Sequence, residues 1–216
     1  MAGEAPGASQ LQAIADPFVR SLAELGRLRT YPKNTVFITE GDSSDSVFVI
    51  LSGRVKVFIS DTEGHEMILD TQGPGEYVGE MALDGKPRSA SVMTLETSTF
   101  SVIGRDPVRE AIRRNPDFAL DMISRIIDRA RIATNSVKDL ALLDVYGRVA
   151  RLLLNMAVEK DGKLLIPEKL TQQEIAERVG ASRDMVSRIF RDLTQGGYIT
   201  VEHRYITINK KPPSRW

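Results

Sequence analysis

Five short runs of β-branched and aromatic residues between Thr35 and Ile103 limit what this 216-residue chain can fold into. The runs are Thr35–Thr39, Ser46–Leu51, Arg54–Ile59, Met67–Leu69 and Thr99–Ile103. Turn-forming sequences such as Gly41-Asp42 and Gly73-Pro74-Gly75 separate them. Short strands at this spacing, without helices between them, predict an antiparallel barrel or sandwich.

Helical patterns flank this β region. Apolar residues at three- and four-residue spacing predict an amphipathic helix within residues 17–30. Its apolar face would consist of Phe18, Leu22, Leu25 and Leu28. A short helix is predicted from Asp106 to Asn115, where Pro116 breaks it, and a long helix follows to about Leu143. The chain is therefore predicted to belong to the α+β class.

The long helix carries apolar residues at alternating steps of four and three. These residues are Ala119, Ile123, Ile126, Ala130, Ala133, Val137 and Leu140. A heptad repeat of this length is typical of helices that pair, and small alanines let two backbones approach closely. We predict a parallel homodimer built on this helix. The alternative is a single helix packed on its own barrel.

Basic residues are concentrated in the C-terminal third, although the chain contains 29 Lys and Arg and 29 Asp and Glu. Residues 1–144 contain 16 basic and 21 acidic residues, whereas residues 145–216 contain 13 basic and 8 acidic residues. Because phosphate contacts need positive charge, this third is where a nucleic-acid surface is predicted. The sequence Asp144-Val145-Tyr146-Gly147 marks a hinge before it.

The composition excludes several kinds of site. Cysteine is absent, which excludes disulfides, thiolate nucleophiles and Cys-ligated zinc or iron–sulfur clusters. His65 and His203 are the only histidines, so no metal site is predicted. Residues 1–10 lack the pattern of a signal peptide, and no apolar stretch approaches the roughly 20 residues that span a bilayer. We expect a cytoplasmic protein without membrane contacts.

Residues 171–195 have the pattern of a helix-turn-helix. Thr171-Gln172-Gln173-Glu174 is a capping box that begins a helix, and Gly180 can adopt the left-handed conformation that ends it. Ser182 is a suitable N-cap for a second helix from Arg183 to about Gln195. Two β-rich segments then predict a hairpin, and with it a winged helix. They are Tyr198–Val201 and Tyr205–Ile208, joined by a turn at Glu202-His203-Arg204.

The second helix would bury one face and expose a charged one. Its N-terminal end carries Arg183, Asp184 and Arg188 outward. An arginine fork matches guanine O6 and N7, and a carboxylate accepts from the cytosine amino group, when such an end enters the major groove. The alternative is an ordinary solvated face. We predict DNA contacts from Thr171, Gln172, Ser182, Arg183, Asp184, Ser187 and Arg188.

A glycine-containing loop, residues 75–91, has the composition of an anion site. Gly79 permits close approach of backbone, and one helical turn over Glu80–Leu83 would direct free amides at an anion. Arg88 offers a bidentate partner for phosphate, and Ser89 adds a hydroxyl and an amide. Because a carboxylate repels phosphate but accepts from sugar hydroxyls, Glu80 makes the set suitable for a ribose and one phosphate.

Three separate motifs resemble one family, the cyclic AMP receptor protein (CRP/FNR) family of bacterial regulators. Gly79-Glu80 with Arg88-Ser89-Ala90 is similar to its phosphate-binding cassette. Residues 142–150 resemble its hinge, and residues 171–193 resemble its helix-turn-helix. The resemblance covers about Phe18 to Ile208, in the same order.

This resemblance implies an N-terminal cyclic-nucleotide-binding, jelly-roll-like β-roll over residues 1–115. It also implies a dimerisation helix and hinge over 116–144, and a winged helix-turn-helix over 145–216. Cyclic AMP would be the allosteric effector, and double-stranded DNA with a palindromic operator would be the partner. The family would also place an RNA polymerase contact in the turn 159–163. The implied nucleotide contacts are Gly79, Glu80, Arg88, Ser89, Thr134 and Asn135.

The sequence departs from the family at two positions and leaves other interpretations open. Ala133 stands where the best-known member has a hydroxyl, and Asp184 stands where a glutamate is usual. Arg129 is expected to pair with Glu80. The alternatives are the same fold responding to cyclic di-GMP or acting without ligand, a cupin-like enzyme, and a nucleotide-binding module without DNA function. No cluster of histidines and carboxylates supports the enzyme.

Overall fold

The computed structural model describes residues 4–160 and 162–213, except for the side chain of Ala82. These residues form two compact units. The first consists of the described residues up to Ile59 and of Ile68–Arg129, and the second of Ser60–Met67 and the described residues from Ala130 onward. In the described part of the chain, no helix is both long enough and apolar enough to cross a membrane.

Two four-stranded antiparallel sheets confirm the prediction of an antiparallel barrel or sandwich. The strands are β1 (Arg27–Tyr31), β2 (Val36–Ile38), β3 (Val47–Ser52), β4 (Val55–Ser60), β5 (Glu66–Gln72), β6 (Tyr77–Val78), β7 (Ser91–Thr94) and β8 (Ser98–Ile103). One sheet has the order β1-β8-β3-β6 and the other β2-β7-β4-β5. A 3₁₀ helix, Glu80–Asp84, follows β6. The helices α1 (Ala8–Gln12) and α2 (Pro17–Glu24) precede the sheets, and α3 (Arg105–Arg114) follows them.

Strand β3 is buried on both faces, which explains its unbroken apolar sequence. Phe48 and Ile50 belong to the core between the two sheets, together with Phe100 of β8. Val47 and Val49 belong to a second core that the strand shares with α2 and α3. A strand covered on both faces needs apolar residues at successive positions, so the period of two is lost there.

The prediction that an amphipathic helix extends to Leu28 is wrong, because helix α2 covers only Pro17–Glu24. It begins after Asp16, whose carboxylate accepts from two backbone amides, and it ends at Glu24. Leu28, predicted on its apolar face, lies in β1 and pairs with Ser101 of β8. The hydroxyl of Ser101 also donates to the carbonyl of Ala23 at 2.6 Å. The ladder with β8 therefore outcompetes continuation of the helix.

The long helix α4, Asp117–Leu142, is confirmed, and it leaves most of its predicted apolar repeat exposed. Ile123 is 50% exposed and Val137 is 65% exposed. Neighbouring apolar side chains on the helix, among them Leu120, Ile127 and Ile132, are also exposed. An apolar surface of this extent is unfavourable in water unless another chain covers it.

The second unit contains the predicted winged helix, together with Ser60–Met67 and the end of α4 from Ala130. The elements of the winged helix are α5 (Val145–Met156), β9 (Val158–Lys160), β10 (Lys163–Ile166), α6 (Gln172–Val179), α7 (Arg183–Gln195), β11 (Ile199–Glu202) and β12 (Tyr205–Ile208). The sheet has the order β11-β12-β10-β9. Its inner face shares a core with the three helices, in which Leu153, Ile175 and Leu193 are fully buried.

Candidate functional site

Arg88 lies at the centre of the predicted anion loop and is buried, with 6% of its surface exposed. Its Nη1 donates to the carbonyl of Gly79 at 2.7 Å. Its Nη2 donates both to the hydroxyl of Ser44 at 2.7 Å and to the carbonyl of Ser46 at 2.8 Å. The guanidinium is therefore held by the loop before β3, a contact that no pattern in the sequence predicts.

The backbone of Arg88 is fixed to the same loop. Its amide donates to the carbonyl of Asp42, and its carbonyl accepts from the amide of Gly41, both at 2.9 Å. Burial lowers the pKa of the guanidinium, while the carboxylates of Asp45 and Glu80 act in the opposite direction. One donor is unused, because Nε is buried without a partner among the described residues.

Gly79 is required by the close approach of this guanidinium. Its φ is +88°, in the region that favours glycine. A Cβ at this position would lie 2.7 Å from Nη1 of Arg88 and 2.8 Å from the carbonyl oxygen of Ser46. Glycine therefore allows both the conformation and the space that Arg88 occupies.

Glu80 and Arg129 form the expected ion pair. The carboxylate oxygen Oε1 lies 2.5 Å from Nη1 of Arg129, and the Glu80 side chain is only 6% exposed. Nη2 of Arg129 donates to the carbonyl of Tyr77 at 2.6 Å, and the guanidinium lies 4.8 Å from the centre of the Tyr77 ring. Burial opposes the charge on Arg129, but Glu80 outweighs it and raises the pKa of the guanidinium.

Tyr77 connects this pair with the helical core. The ring is 1% exposed and contacts Phe18 of α2 edge-on, with centroids 6.2 Å apart. Burial raises the pKa of its hydroxyl to about 12. Within the described residues, this hydroxyl has no hydrogen-bond partner. Apart from the apolar character of the strand, no pattern in the sequence indicates these contacts.

The remaining predicted nucleotide contacts are exposed. The hydroxyl of Ser89 donates to Sδ of Met81 at 3.3 Å. Thr134 donates to the carbonyl of Ala130, one turn earlier in α4, at 2.9 Å, and Asn135 follows it on the helix surface. Gly79, Glu80, Arg88 and Ser89 belong to the first compact unit, whereas Thr134 and Asn135 belong to the second.

A second arginine of α4 has an equivalent arrangement, which the sequence analysis also missed. Arg125 forms an ion pair with Asp16, the N-cap of α2. Its guanidinium lies 5.2 Å from the centre of the Phe18 ring. Arg125 and Arg129 are one helical turn apart, so both present a cation to an aromatic face and to a carboxylate. Together they fix the N-terminal half of α4 against the roll.

The helix-turn-helix has the predicted caps. The hydroxyl of Thr171 accepts a hydrogen bond from the amide of Glu174, and the carboxylate of Glu174 accepts one from the amide of Thr171 at 2.7 Å. Gly180 ends α6 with a φ of +60°. The hydroxyl of Ser182 accepts from the amide of Met185 at 3.2 Å and begins α7. The capping hydroxyls of Thr171 and Ser182 thus define where the two helices start.

The outer face of α7 presents the predicted base-reading side chains to solvent. Ser182, Arg183, Asp184 and Arg188 are exposed, and Ser187 is half-buried, as is Gln172 in α6. Within residues 4–160 and 162–213, neither Arg183 nor Arg188 makes an ion pair, so both forks are available. The wing follows with a two-residue turn, His203-Arg204, whose φ values of 51° and 69° fit a tight β-hairpin.

Arg148 of α5 donates hydrogen bonds to carbonyls at the C-terminal ends of two helices, a role that its position in the sequence does not indicate. Nε donates to the carbonyl of Val179 at 2.8 Å, and Nη1 donates to the carbonyl of Leu143 at 3.1 Å. Nη2 donates to the carbonyl of Gly180 at 3.3 Å. Carbonyls at helix C-terminal ends have no partner within the helix, so one guanidinium satisfies those of α4 and α6 together.

The described residues contain no group of three or more acidic or histidine side chains that could hold a metal ion. The histidine in the β4–β5 connection, His65, binds instead to Asp61, with Nδ1 2.9 Å from Oδ2. Both side chains are mostly exposed.

These features define a class of protein. A β-roll with a buried arginine and glutamate, followed in the same chain by a winged helix-turn-helix with exposed arginines, is the organisation of a DNA-binding regulator with its own sensory domain. Family models agree with both parts. Residues 28–115 match the cyclic nucleotide-binding domain, and residues 147–212 match the Crp-like helix-turn-helix domain.

Known proteins identify the family. The chain is 33% identical over 199 residues to the cAMP-activated global transcriptional regulator CRP of Salmonella typhimurium, covering 89% of this chain and 94% of that protein. It is 32% identical over 184 residues to the CRP-like cAMP-activated global transcriptional regulator of Mycobacterium tuberculosis, covering 83% of this chain and 82% of that protein. The chain belongs to the CRP/FNR family of transcriptional regulators.

Solved structures support the same fold. The c-di-GMP responsive global regulator CLP of Xanthomonas campestris aligns with a TM-score of 0.76 at 22% identity, covering 94% of this chain and all of that one. At this identity the likeness concerns the fold alone.

Proposed function

We propose that this protein is a homodimeric transcriptional regulator that binds cyclic AMP in its β-roll and then binds a palindromic operator. The observation that carries the proposal is that one chain has both a buried arginine and a buried glutamate in the roll, Arg88 and Glu80, and exposed arginines on α7. Buried charges are retained where they are paired or hydrogen-bonded, and a cyclic nucleotide offers a further partner to each of these two. The phosphate needs a cation, and the ribose hydroxyl needs an acceptor.

The residues of the pocket fit this ligand. Nε of Arg88 is a buried donor without a partner among the described residues, which suits an incoming anionic oxygen. The Glu80 carboxylate keeps acceptor capacity beyond its bond to Arg129. In the proposal, Gly79 and Glu80 meet the phosphate edge and the ribose 2′-hydroxyl, and Arg88 and Ser89 hold the cyclic phosphate. Thr134 and Asn135 contact adenine.

The exposed apolar repeat of α4 supports a homodimer. Ile123, Ile126, Val137 and Leu140 are each at least 40% exposed in the single chain. Their heptad spacing is the pattern by which two parallel helices interlock. A dimer also presents two recognition helices, which matches an operator with two half-sites about one helical turn apart. Nucleotide binding would act allosterically by favouring the helix arrangement that aligns the two recognition helices.

The proposed DNA contacts are the exposed side chains at the start of α7. Arg183 and Arg188 would read guanine and Asp184 would accept from cytosine, while Thr171, Gln172, Ser182 and Ser187 would contact phosphates or neighbouring bases. A contact with RNA polymerase is proposed for the turn 159–163. Asp161 in that turn lies outside the described residues.

Calorimetric titration of the purified protein with cyclic AMP, cyclic GMP and cyclic di-GMP tests the effector. We expect saturable binding of cyclic AMP at one site per chain, and a loss of at least tenfold in affinity for Arg88→Ala. Lys86→Ala is the matched control, because Lys86 is an exposed cation of the same loop that pairs with Asp84. Preference for cyclic di-GMP, or no binding of any of the three, contradicts the proposal in favour of the alternative effector or of ligand-free action.

Fluorescence anisotropy with a labelled palindromic duplex tests the second half of the proposal. Cyclic AMP is expected to tighten binding by about 1–3 kcal/mol, an ordinary allosteric coupling. Arg183→Ala and Arg188→Ala are each expected to cost about 1–3 kcal/mol and to relax base preference at one position. Arg191→Ala, another exposed arginine of α7, is the control. Equal losses from all three variants would contradict base reading by Arg183 and Arg188.

A further inference from the structure

The loop that precedes β3, residues 41–46, accepts hydrogen bonds from Arg88, the residue that would bind the phosphate of the proposed ligand. Ser44 in this loop is exposed, yet its hydroxyl lies 2.7 Å from Nη2 of the buried Arg88. The same Nη2 also donates to the carbonyl of Ser46. The loop is held in place from both sides of Arg88 by the backbone hydrogen bonds to Gly41 and Asp42.

The geometry of a guanidinium makes this arrangement consequential. An anion bound in the bidentate mode uses either the pair of Nε and Nη2 or the pair of Nη1 and Nη2. Both pairs include Nη2, and Nη2 of Arg88 already donates to Ser44 and to Ser46. A bidentate phosphate contact therefore requires one of these two hydrogen bonds to break. Nε has no partner among the described residues, so its N–H is left for the anion once the loop moves.

We infer that Ser44 is a positioning residue that regulates nucleotide affinity by holding Arg88 in a closed position. The inference rests on the proposed function of Arg88 as the phosphate ligand. Of the acceptors to Nη2 in the described chain, Ser44 offers a side chain and Ser46 a backbone carbonyl. A hydroxyl on an exposed loop moves at lower cost than the carbonyl of a residue that enters a strand. The Ser44 bond is thus the one that opens when a phosphate-bearing ligand enters.

The consequence is a predictable gain of affinity on mutation. Removing the hydroxyl takes away a hydrogen bond that the free protein has and the bound protein lacks. Ser44→Ala is therefore expected to bind cyclic AMP about fivefold more tightly, the equivalent of one net hydrogen bond. The gain should appear in the association rate constant, because Ser44 no longer contacts Arg88 once the ligand is bound. The dissociation rate constant should stay the same.

Stopped-flow fluorescence with a fluorescent cyclic AMP analogue, together with calorimetry with cyclic AMP, tests this on the full chain. Ser44→Thr keeps the hydroxyl and is expected to match the wild type. Ser43→Ala removes the neighbouring exposed hydroxyl, which does not bind Arg88, and is also expected to match it. Circular dichroism verifies that each variant is folded.

The possible results distinguish failure of the role of Ser44 from failure of the proposed nucleotide binding. Faster association for Ser44→Ala, with Ser44→Thr and Ser43→Ala unchanged, supports the inference. If the wild type binds cyclic AMP and Ser44→Ala binds equally or more weakly, or gains only through slower dissociation, Ser44 does not hold Arg88 closed. In that case the proposed function stands. If the folded wild type binds no cyclic nucleotide, the proposed function fails, and the role of Ser44 fails with it.

Discussion

The ion pair between Glu80 and Arg129 gives the sharpest quantitative prediction. Arg129→Ala removes the partner of a carboxylate that is 6% exposed, which costs about 3 kcal/mol. It also removes the hydrogen bond to the Tyr77 carbonyl, which adds about 1 kcal/mol. We therefore expect the free energy of unfolding to fall by about 4 kcal/mol, the sum of these two contributions.

A double-mutant cycle isolates the pair from the other contacts of Arg129. A neutral glutamine in place of Glu80 needs no cationic partner, so Arg129→Ala should cost only about 2 kcal/mol in a Glu80→Gln background. The expected coupling energy is then about 2 kcal/mol. Urea unfolding followed by far-UV circular dichroism, at one fixed protein concentration, supplies the free energies.

The control cycle uses an exposed pair in the neighbouring loop. Asp84 and Lys86 lie 3.4 Å apart, with side chains 49% and 81% exposed. Exposed pairs contribute little, so Asp84→Asn and Lys86→Ala should show a much smaller coupling energy than Glu80 and Arg129. A Glu80–Arg129 coupling as small as that of the control would refute the argument that burial makes this pair strong.

Three further predictions concern single positions. Tyr77→Phe should raise the free energy of unfolding at pH 7 by about 1 kcal/mol, since it removes a buried hydroxyl without a partner among the described residues. Because the pKa of Tyr77 is about 12 in the folded chain and 10.0 ordinarily, the hydroxyl is neutral in both states below pH 10 and ionises first in the unfolded chain above it. The free energy of unfolding of the wild type therefore falls as the pH rises from 10 toward 12, and its dependence on pH in that range should be weaker for Tyr77→Phe. Gly79→Ala should displace Arg88 and weaken nucleotide binding at least tenfold by calorimetry, and unchanged affinity would show that the clash relaxes elsewhere. Gly180→Ala should cost about 1 kcal/mol in urea unfolding, from its left-handed φ alone, because a Cβ there finds ordinary contact distances.

The parts of the fold that local chemistry decides could be predicted from the sequence. The capping box at Thr171, the glycine at 180 and the N-cap at Ser182 lie within a dozen residues, so each helix boundary follows from its own neighbours. The end of α2 depends instead on pairing between β1 and β8, far away in the sequence. The spacing of apolar residues within 17–30 does not depend on whether β8 is there to pair with residues 27–31. It therefore predicts a helix that is too long.

The same distinction applies to the candidate site. Arg88 and Glu80 could be selected because their residue types suit a phosphate and a ribose. The serine that holds Arg88 could not, because Ser44 approaches from a distant segment and a serine in a polar loop has no distinguishing pattern. Arg129 was expected beside Glu80 only through the family resemblance, since an arginine on a long helix ordinarily faces solvent. Only the packing of the roll shows that Arg129 also lies on the face of Tyr77.

The connection between α4 and α5 is short, and hydrogen bonds hold it at both ends. Helix α4 ends at Leu142, α5 begins at Val145 with Asp144 as its N-cap, and Arg148 binds the carbonyls of Leu143 and Val179. Under the proposed function, a change in α4 would reach α5 through these few residues. Inserting two glycines between Leu143 and Asp144 would lengthen this connection. Under the proposed function, the variant should bind cyclic AMP like the wild type, whereas cyclic AMP should no longer tighten its binding to the palindromic duplex.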